Sequence, residues 1–267
     1  MSSKLSASLS NLARRQTQQT FGISHINMVK FIVVGGGGKV AQYFTEHAVK
    51  EGHEVHSVIR NDGHSDELKK IGAKIHILSL EDASVPDLTS LFTKVNPDVV
   101  IFAAGAGGQP PGPEVIDYQG AVKVYDAMES SNRKRLILIG AVDVRTRDKG
   151  WPEWYDDEDK KTSERVWKAI PTYLDAKLKA EIELHTRKQI QFTVVRPGGL
   201  TLEPAGGVQL GKTHLKQTSR ELVAKVILAI ATSKGTEGLT IDVMDGEGSI
   251  KDELNKVVED GTDAWTG

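Results

Sequence analysis

Cysteine is absent from the 267-residue chain. That removes disulfides, thiolate nucleophiles and Cys-ligated zinc or iron–sulfur centres together. Long apolar runs are missing too: none approaches the ~18 residues of a membrane-spanning helix, and the mean hydropathy is -0.31. There is no basic excess either. With 34 Lys+Arg against 36 Asp+Glu the formal net charge is -2, which argues against nucleic acid as the main partner. Aromatic residues are scarce at 6%, whereas 26 glycines suggest backbone that must come close to something. What remains, 39% hydrophobic and 26% charged residues, can bury a sizeable core, and the length suits one large α/β domain.

A local absence marks the start of the chain. Residues 1–27 contain no Asp or Glu, and the first acidic residue is Glu46. They carry six serines and the pair Arg14–Arg15. This composition is that of a mitochondrial transit peptide, or else of a leader upstream of a second start at Met28. Residues 1–27 are thus expected to lie outside a single domain spanning 28–267, which is cytoplasmic, or located in the mitochondrial matrix if the leader is an address.

From Met28, β-branched runs alternate with amphipathic segments. Strands are expected at 29–34, 54–59, 74–78, 98–104, 135–140, 192–197 and 239–244, several of them apolar throughout, as parallel strands covered on both faces should be. Helices are expected at 39–51, 87–95, 114–130, 173–188, 219–232 and near 249–259. This alternation predicts an α/β fold: a doubly wound parallel sheet of Rossmann type, with ligands at the carboxyl ends of the strands and a small C-terminal segment on the substrate side. The segment 143–171 breaks the rhythm, carrying Trp151, Trp154, Tyr155 and Trp167 among charges, and reads as an insertion or lid.

The first strand runs into Gly35-Gly36-Gly37-Gly38-Lys39-Val40-Ala41 and then a helix. Spaced as G-x-x-G-x-x-A, this is the glycine turn of a dinucleotide-binding unit, in which Gly35 permits the turn, Gly38 admits the pyrophosphate and Ala41 lets helix and strand pack closely. Arg60 ends the second strand, 19 residues beyond Ala41. A cation there suits a 2′-phosphate and favours NADP; Asp62 nearby leaves NAD as the alternative.

Together, "VVGGGGKVA", "GHEVHSVIRN", "DVVIFAAGAGG", "VIDYQGA", "YLDAK" and "FTVVRPGGLTLEPAGG" resemble the atypical short-chain dehydrogenase/reductases of the NmrA-like, NAD(P)-binding type, over essentially all of 29–258. The resemblance implies a Rossmann core with NADP at the strand ends. Ala103, Ala104 and Gly105 would flank the cofactor after the fourth strand, and Pro197, Gly198 and Gly199 would pass near the nicotinamide after the sixth. Tyr173 and Lys177, spaced to share one helix face, match the family's Y-x-x-x-K. The resemblance implies that Tyr173 protonates the substrate oxygen while Lys177 binds the ribose and lowers the Tyr pKa. It also implies that Asp117 faces the cofactor region; anchoring its own helix is the alternative.

Two positions depart from the family. Its working enzymes end the fifth strand in serines that polarise a carbonyl, where this chain has Gly140-Ala141-Val142-Asp143, and Ser79 stands where an Asp near the adenine is usual. The eight histidines suggest no metal site: alternation places His53 and His56 on the surface of a strand. Asp156–Asp159 read as a solvated helix start, and Trp151 and Trp154 either cap a substrate pocket or pack the insertion down. The expected function is NADP-dependent reduction of a small carbonyl or planar substrate by a monomer or homodimer. The alternative is a dinucleotide-binding redox sensor without turnover. A nucleotide-sugar epimerase needs a larger C-terminal domain than the about 70 residues after the sixth strand supply.

Overall fold

Each apolar run of the sequence becomes a strand, and the amphipathic segment that follows packs back on the sheet as a helix. The computed structural model describes residues 27–267. The expected leader therefore lies outside the described residues, apart from its last position. The strands are β1 (Lys30–Val34), β2 (Glu54–Ile59), β3 (Lys74–Ile77), β4 (Val99–Phe102), β5 (Arg135–Ile139), β6 (Gln191–Pro197), β7 (Gly199–Thr201), β8 (Gly207–Gly211), β9 (Gln217–Ser219) and β10 (Thr240–Gly246). The helices are α1 (Lys39–Lys50), α2 (Ser65–Lys70), α3 (Val85–Val95), α4 (Gly120–Ser130), α5 (Asp157–Ala169), α6 (Pro171–Thr186), α7 (Arg220–Thr232) and α8 (Ile250–Asp260).

Eight strands form one sheet in the order β3-β2-β1-β4-β5-β6-β10-β8, parallel except for β8 at the edge, while β7 and β9 pair separately. This is the expected doubly wound sheet. Alternation along β1 assigns the two faces: Phe31 and Val33 join a core with α1, α7 and α8, whereas Ile32 and Val34 join a second core with α3, α4 and α6. Burial on both faces is what makes Phe31–Val34 of β1 apolar without a break.

Element ends differ from the sequence expectation where local hydrogen bonds intervene. The third helix begins at Val85 rather than 87 because Ser84 caps it and Asp87 bonds back, a reciprocal capping box. The stretch expected as one helix over 114–130 opens with a π-helical turn, Glu114–Gln119, before α4. The segment 143–171 contains α5, capped by Asp156 with Asp159 returning the bond, so the acidic run is a helix start as expected, but not a wholly solvated one: Asp159 is buried and accepts from His214 and the Leu215 amide. The short elements α2, β7, β8 and β9 escaped the sequence pattern, each having few residues over which to show a period.

Candidate functional site

Neighbouring strands β1 and β4 send their following helices to opposite faces, which opens a crevice between their carboxyl ends. The glycine turn lies there. Gly35 has φ +87°, and a Cβ on it would stand 2.5 Å from the backbone of Ala104, so the turn and the loop after β4 touch main chain to main chain. The amides of Gly35 and Gly36 bond the Val58 carbonyl. The N-cap of α1, Gly38, has no side chain with which to occupy the helix amides, and the first turn holds no acid. The first bond of the turn runs from the Gln42 amide to the Gly38 carbonyl at 2.9 Å, leaving the amides of Lys39, Val40 and Ala41 without an intrahelical acceptor. Such a helix end fits a phosphate.

The crevice is a cleft of about 240 Å³ lined by Gly35, Gly37, Gly38, Arg60, Ala103, Ala104 and Gly105, seven of the residues expected from sequence. Ser79 also lines it, at the place where the resemblance puts an Asp near the adenine. Asn61, His64, Pro110 and Ile116 line it as well and were not singled out, since they come from the turn after β2 and the stretch before α4 and carry no pattern of their own. None of the lining residues is a carboxylate. Lys39 and Val40 lie outside the lining: the Lys39 side chain is exposed and that of Val40 packs on the core.

A second cavity, about 560 Å³, opens at the ends of β5 and β6. Tyr173, Pro197, Gly198 and Gly199 line it, together with Gly140 and Asp143, while Thr162, Ser163, Arg165 and Val166 of α5 form one wall. The segment 143–171 thus bounds the cavity, but through α5. Trp151 and Trp154 do not line it: Trp151 lies against the Arg145 guanidinium at 4.3 Å, and Trp154 meets Tyr155 edge-on, so they pack the segment down. The bareness of Gly198 has a packing cause, because the Lys216 carbonyl crosses where a Cβ would stand.

Lys177 lies one helical turn beyond Tyr173 on the same face of α6, with its ammonium 5.7 Å from the centre of the Tyr173 ring. It is buried behind the cavity wall. There it donates to the Ile139 carbonyl at 3.0 Å and pairs with the Asp117 carboxylate at 3.1 Å. Burial alone would lower its pKa, but Tyr173, Asp117 and Glu181 outweigh that and raise it, so Lys177 stays an ammonium. Asp117, fully buried in the π-helical turn, also accepts the Ala106 amide at 3.0 Å. Asp117 lines neither cavity and caps no helix; its carboxylate instead ties the loop after β4 to Lys177.

The next residue on that face, Glu181, explains Gly140. Its carboxylate accepts from Arg196 Nε at 2.9 Å, and a Cβ at position 140 would lie within van der Waals overlap of Glu181 Oε1. At Gly140, one of the four positions where the resemblance leads one to look for serines, the space for a side chain is filled by a buried ion pair. Asp143, at φ +63°, is likewise paired with buried Arg145 at 2.9 Å.

His53 and His56 correct the sequence reading, for both are buried rather than on the surface of β2. His53 accepts the Val29 amide, and His56 bonds His76 and Glu54 at 2.8 and 2.7 Å, because the edge strand β3 covers that face. None of them lines either cavity.

A family described as NAD(P)H-binding matches residues 35–234. A UPF0659 protein of Schizosaccharomyces pombe is 39% identical over 245 residues, covering 90% of this chain and 99% of the relative. A Bacillus subtilis protein described as an uncharacterised sugar epimerase is 26% identical over 86% of this chain and all of its own. Among solved structures, a Bacillus halodurans protein described as an NAD-dependent epimerase/dehydratase superposes with TM-score 0.68 at 31% identity, over 87% of this chain and 99% of that one. An anaerobilin reductase of Escherichia coli O157:H7 shares the fold, with TM-score 0.64 at 23% identity over 80% of this chain and 96% of its own.

Proposed function

The chain belongs to the NAD(P)H-binding family, and from that premise we propose that it is an NADP-dependent oxidoreductase reducing a carbonyl-bearing or planar substrate. A nicotinamide coenzyme, when bound, supplies the hydride. The residues of the crevice fit its phosphates, given a bare glycine cap and free helix amides. Arg60 and His64 in a cleft without a lining carboxylate favour the 2′-phosphate form.

The observation that carries the catalytic reading is Tyr173 standing in the second cavity with the Lys177 ammonium behind its ring. The Tyr173 hydroxyl donates a proton to the substrate oxygen as negative charge develops there. The phenolate left behind is stabilised by Lys177, which Asp117 and the Ile139 carbonyl hold in place. Asp117, by also holding Ala106, keeps the loop that walls the crevice in register with the proton donor.

Two measurements test this. NADPH oxidation against aldehydes, ketones, quinones and flavins should fall about 10²–10⁴-fold in Tyr173→Phe with coenzyme affinity unchanged; turnover that survives the substitution would overturn the assignment. Arg60→Ala should weaken NADPH at least about tenfold while leaving NADH nearly untouched, as loss of a charge-assisted contact requires. Equal weakening of both would discard the NADP preference.

One observation favours a second reading, a dinucleotide-binding sensor without turnover. Where the family's fifth strand ends in serines this chain has Gly140-Ala141-Val142-Asp143, without a hydroxyl, and Glu181 leaves no room for a side chain at Gly140. Tight NADPH binding with no turnover across the panel would select it. Epimerase chemistry is named for two relatives. In this chain residues 198–267 build β7–β10, α7 and α8, of which β8 and β10 extend the main sheet, and we favour reduction on the Tyr173 geometry. Among the described residues no helix is long and apolar enough to cross a membrane. We place the protein in the cytoplasm, and imaging of residues 1–27 fused to a fluorescent reporter distinguishes this from import into mitochondria.

A further inference from the structure

The second cavity has an unbalanced rim. Arg165, Lys216 and Arg220 line it, and none of the three forms an ion pair among the described residues. Its one lining carboxylate, Asp143, is already neutralised by Arg145. Arg220 is held in place, since its Nη1 donates to the carbonyls of Leu200 and Thr201 at 2.9 Å each, so its guanidinium keeps a fixed position at the mouth. Arg165 reaches only Thr162, at 3.4 Å, and Lys216 is exposed.

The walls are apolar. Val166, Leu174 and Leu215 line the interior, and Ile170 and Leu200 stand at the edge 43% and 38% exposed. An apolar concavity rimmed by charged side chains is the form of a ligand-binding site. Like charges gathered in a low-dielectric concavity repel one another, and they raise the local concentration of anions. A volume of about 560 Å³ is in the range of cavities that enclose a whole drug-sized ligand.

We infer that this cavity binds a substrate with an apolar body and an anionic oxygen group, a carboxylate or a phosphate, with Arg165, Lys216 and Arg220 receiving the charge. The inference rests on the reading of the cavity as the substrate side of the coenzyme site. It also explains a chain with a formal net charge of -2 gathering three free cations at one mouth. Guanidinium forks pair with carboxylate and phosphate oxygens through two parallel hydrogen bonds, so they set orientation as well as affinity.

Calorimetric titration of the full chain with 2-naphthoate, 2-naphthyl phosphate and uncharged 2-acetylnaphthalene tests this without turnover. Its result is therefore separate from success or failure of the reductase assay. The anions should bind at least about tenfold more tightly than the ketone, with an advantage that shrinks as salt is raised. The tighter of the two anions identifies the head group. Arg165→Gln with Lys216→Gln, both exposed and so tolerated by the fold, should remove most of that advantage, and adding Arg220→Gln the rest. Equal binding of ketone and anions, no binding of any of them, or a preference that persists in the triple variant would each overturn the inference.

Discussion

At the scale of single residues, position 140 shows how a sequence anomaly acquires a physical cause. From sequence, Gly140 is a missing hydroxyl. In the structure its bareness follows from Glu181, whose buried carboxylate occupies the volume of a β-carbon while pairing with Arg196. Burial pushes the Glu181 carboxyl up, against the pull of Arg196. A serine placed at Gly140 should therefore fail to present a donor to the cavity. Gly140→Ser is expected to destabilise the protein by about 1–3 kcal/mol through overpacking, read as a shift of the urea midpoint. An unchanged midpoint would show that Glu181 can move aside. The glycine turn is the opposite case: its spacing was legible because a bare helix cap leaves a local pattern, whereas Glu181 approaches Gly140 across 41 residues of sequence and leaves none.

At the scale of elements, α6 presents Tyr173, Lys177 and Glu181 at successive turns, and the π-helical turn before α4 presents Asp117 against the middle one. The spacing of four that places Tyr173 and Lys177 on one face was readable from sequence. That Lys177 would be spoken for by Asp117 and the Ile139 carbonyl was not, because the partners come from elements 38 residues or more away. Breaking a buried pair strands a charge, so Asp117→Ala should cost about 3–5 kcal/mol and speed exchange of the Ala106 amide. Loss below about 1 kcal/mol would mean that Lys177 finds another acceptor. The same logic accounts for 143–171. Its aromatic residues drew notice in the sequence, yet the cavity wall is α5, whose lining residues are mostly polar and unremarkable in one dimension.

At the scale of the whole molecule, β6 and β10 bring Arg196 and Asp242 side by side, with Glu181 beneath and the chain end folded over them, where the Ala264 carbonyl accepts from Arg196. Burial raises the Asp242 carboxyl to about 7, Arg196 opposing and Glu181 and Asp143 reinforcing the shift. A carboxyl raised in the fold holds its proton between pH 4 and 7, where the unfolded chain has released it. Its contribution to stability is therefore complete below about pH 4 and is lost as pH rises through about 7. Asp242→Asn should flatten this dependence, gaining on the order of 2–4 kcal/mol relative to wild type between pH 5 and pH 8. Identical pH profiles for the two proteins would place the proton elsewhere.

The parallel strands of the sheet, the glycine turn and the existence of most of the longer helices were determined by sequence alone, because each rests on patterns within some 20 residues: apolar runs, helical period, caps. The pairing of Lys177 with Asp117, the ion pair under Gly140 and the cationic rim of the second cavity were decided only by the tertiary structure. Each joins side chains from separate strand ends, and the forces that place them are packing and unscreened charge, which have no period along the chain.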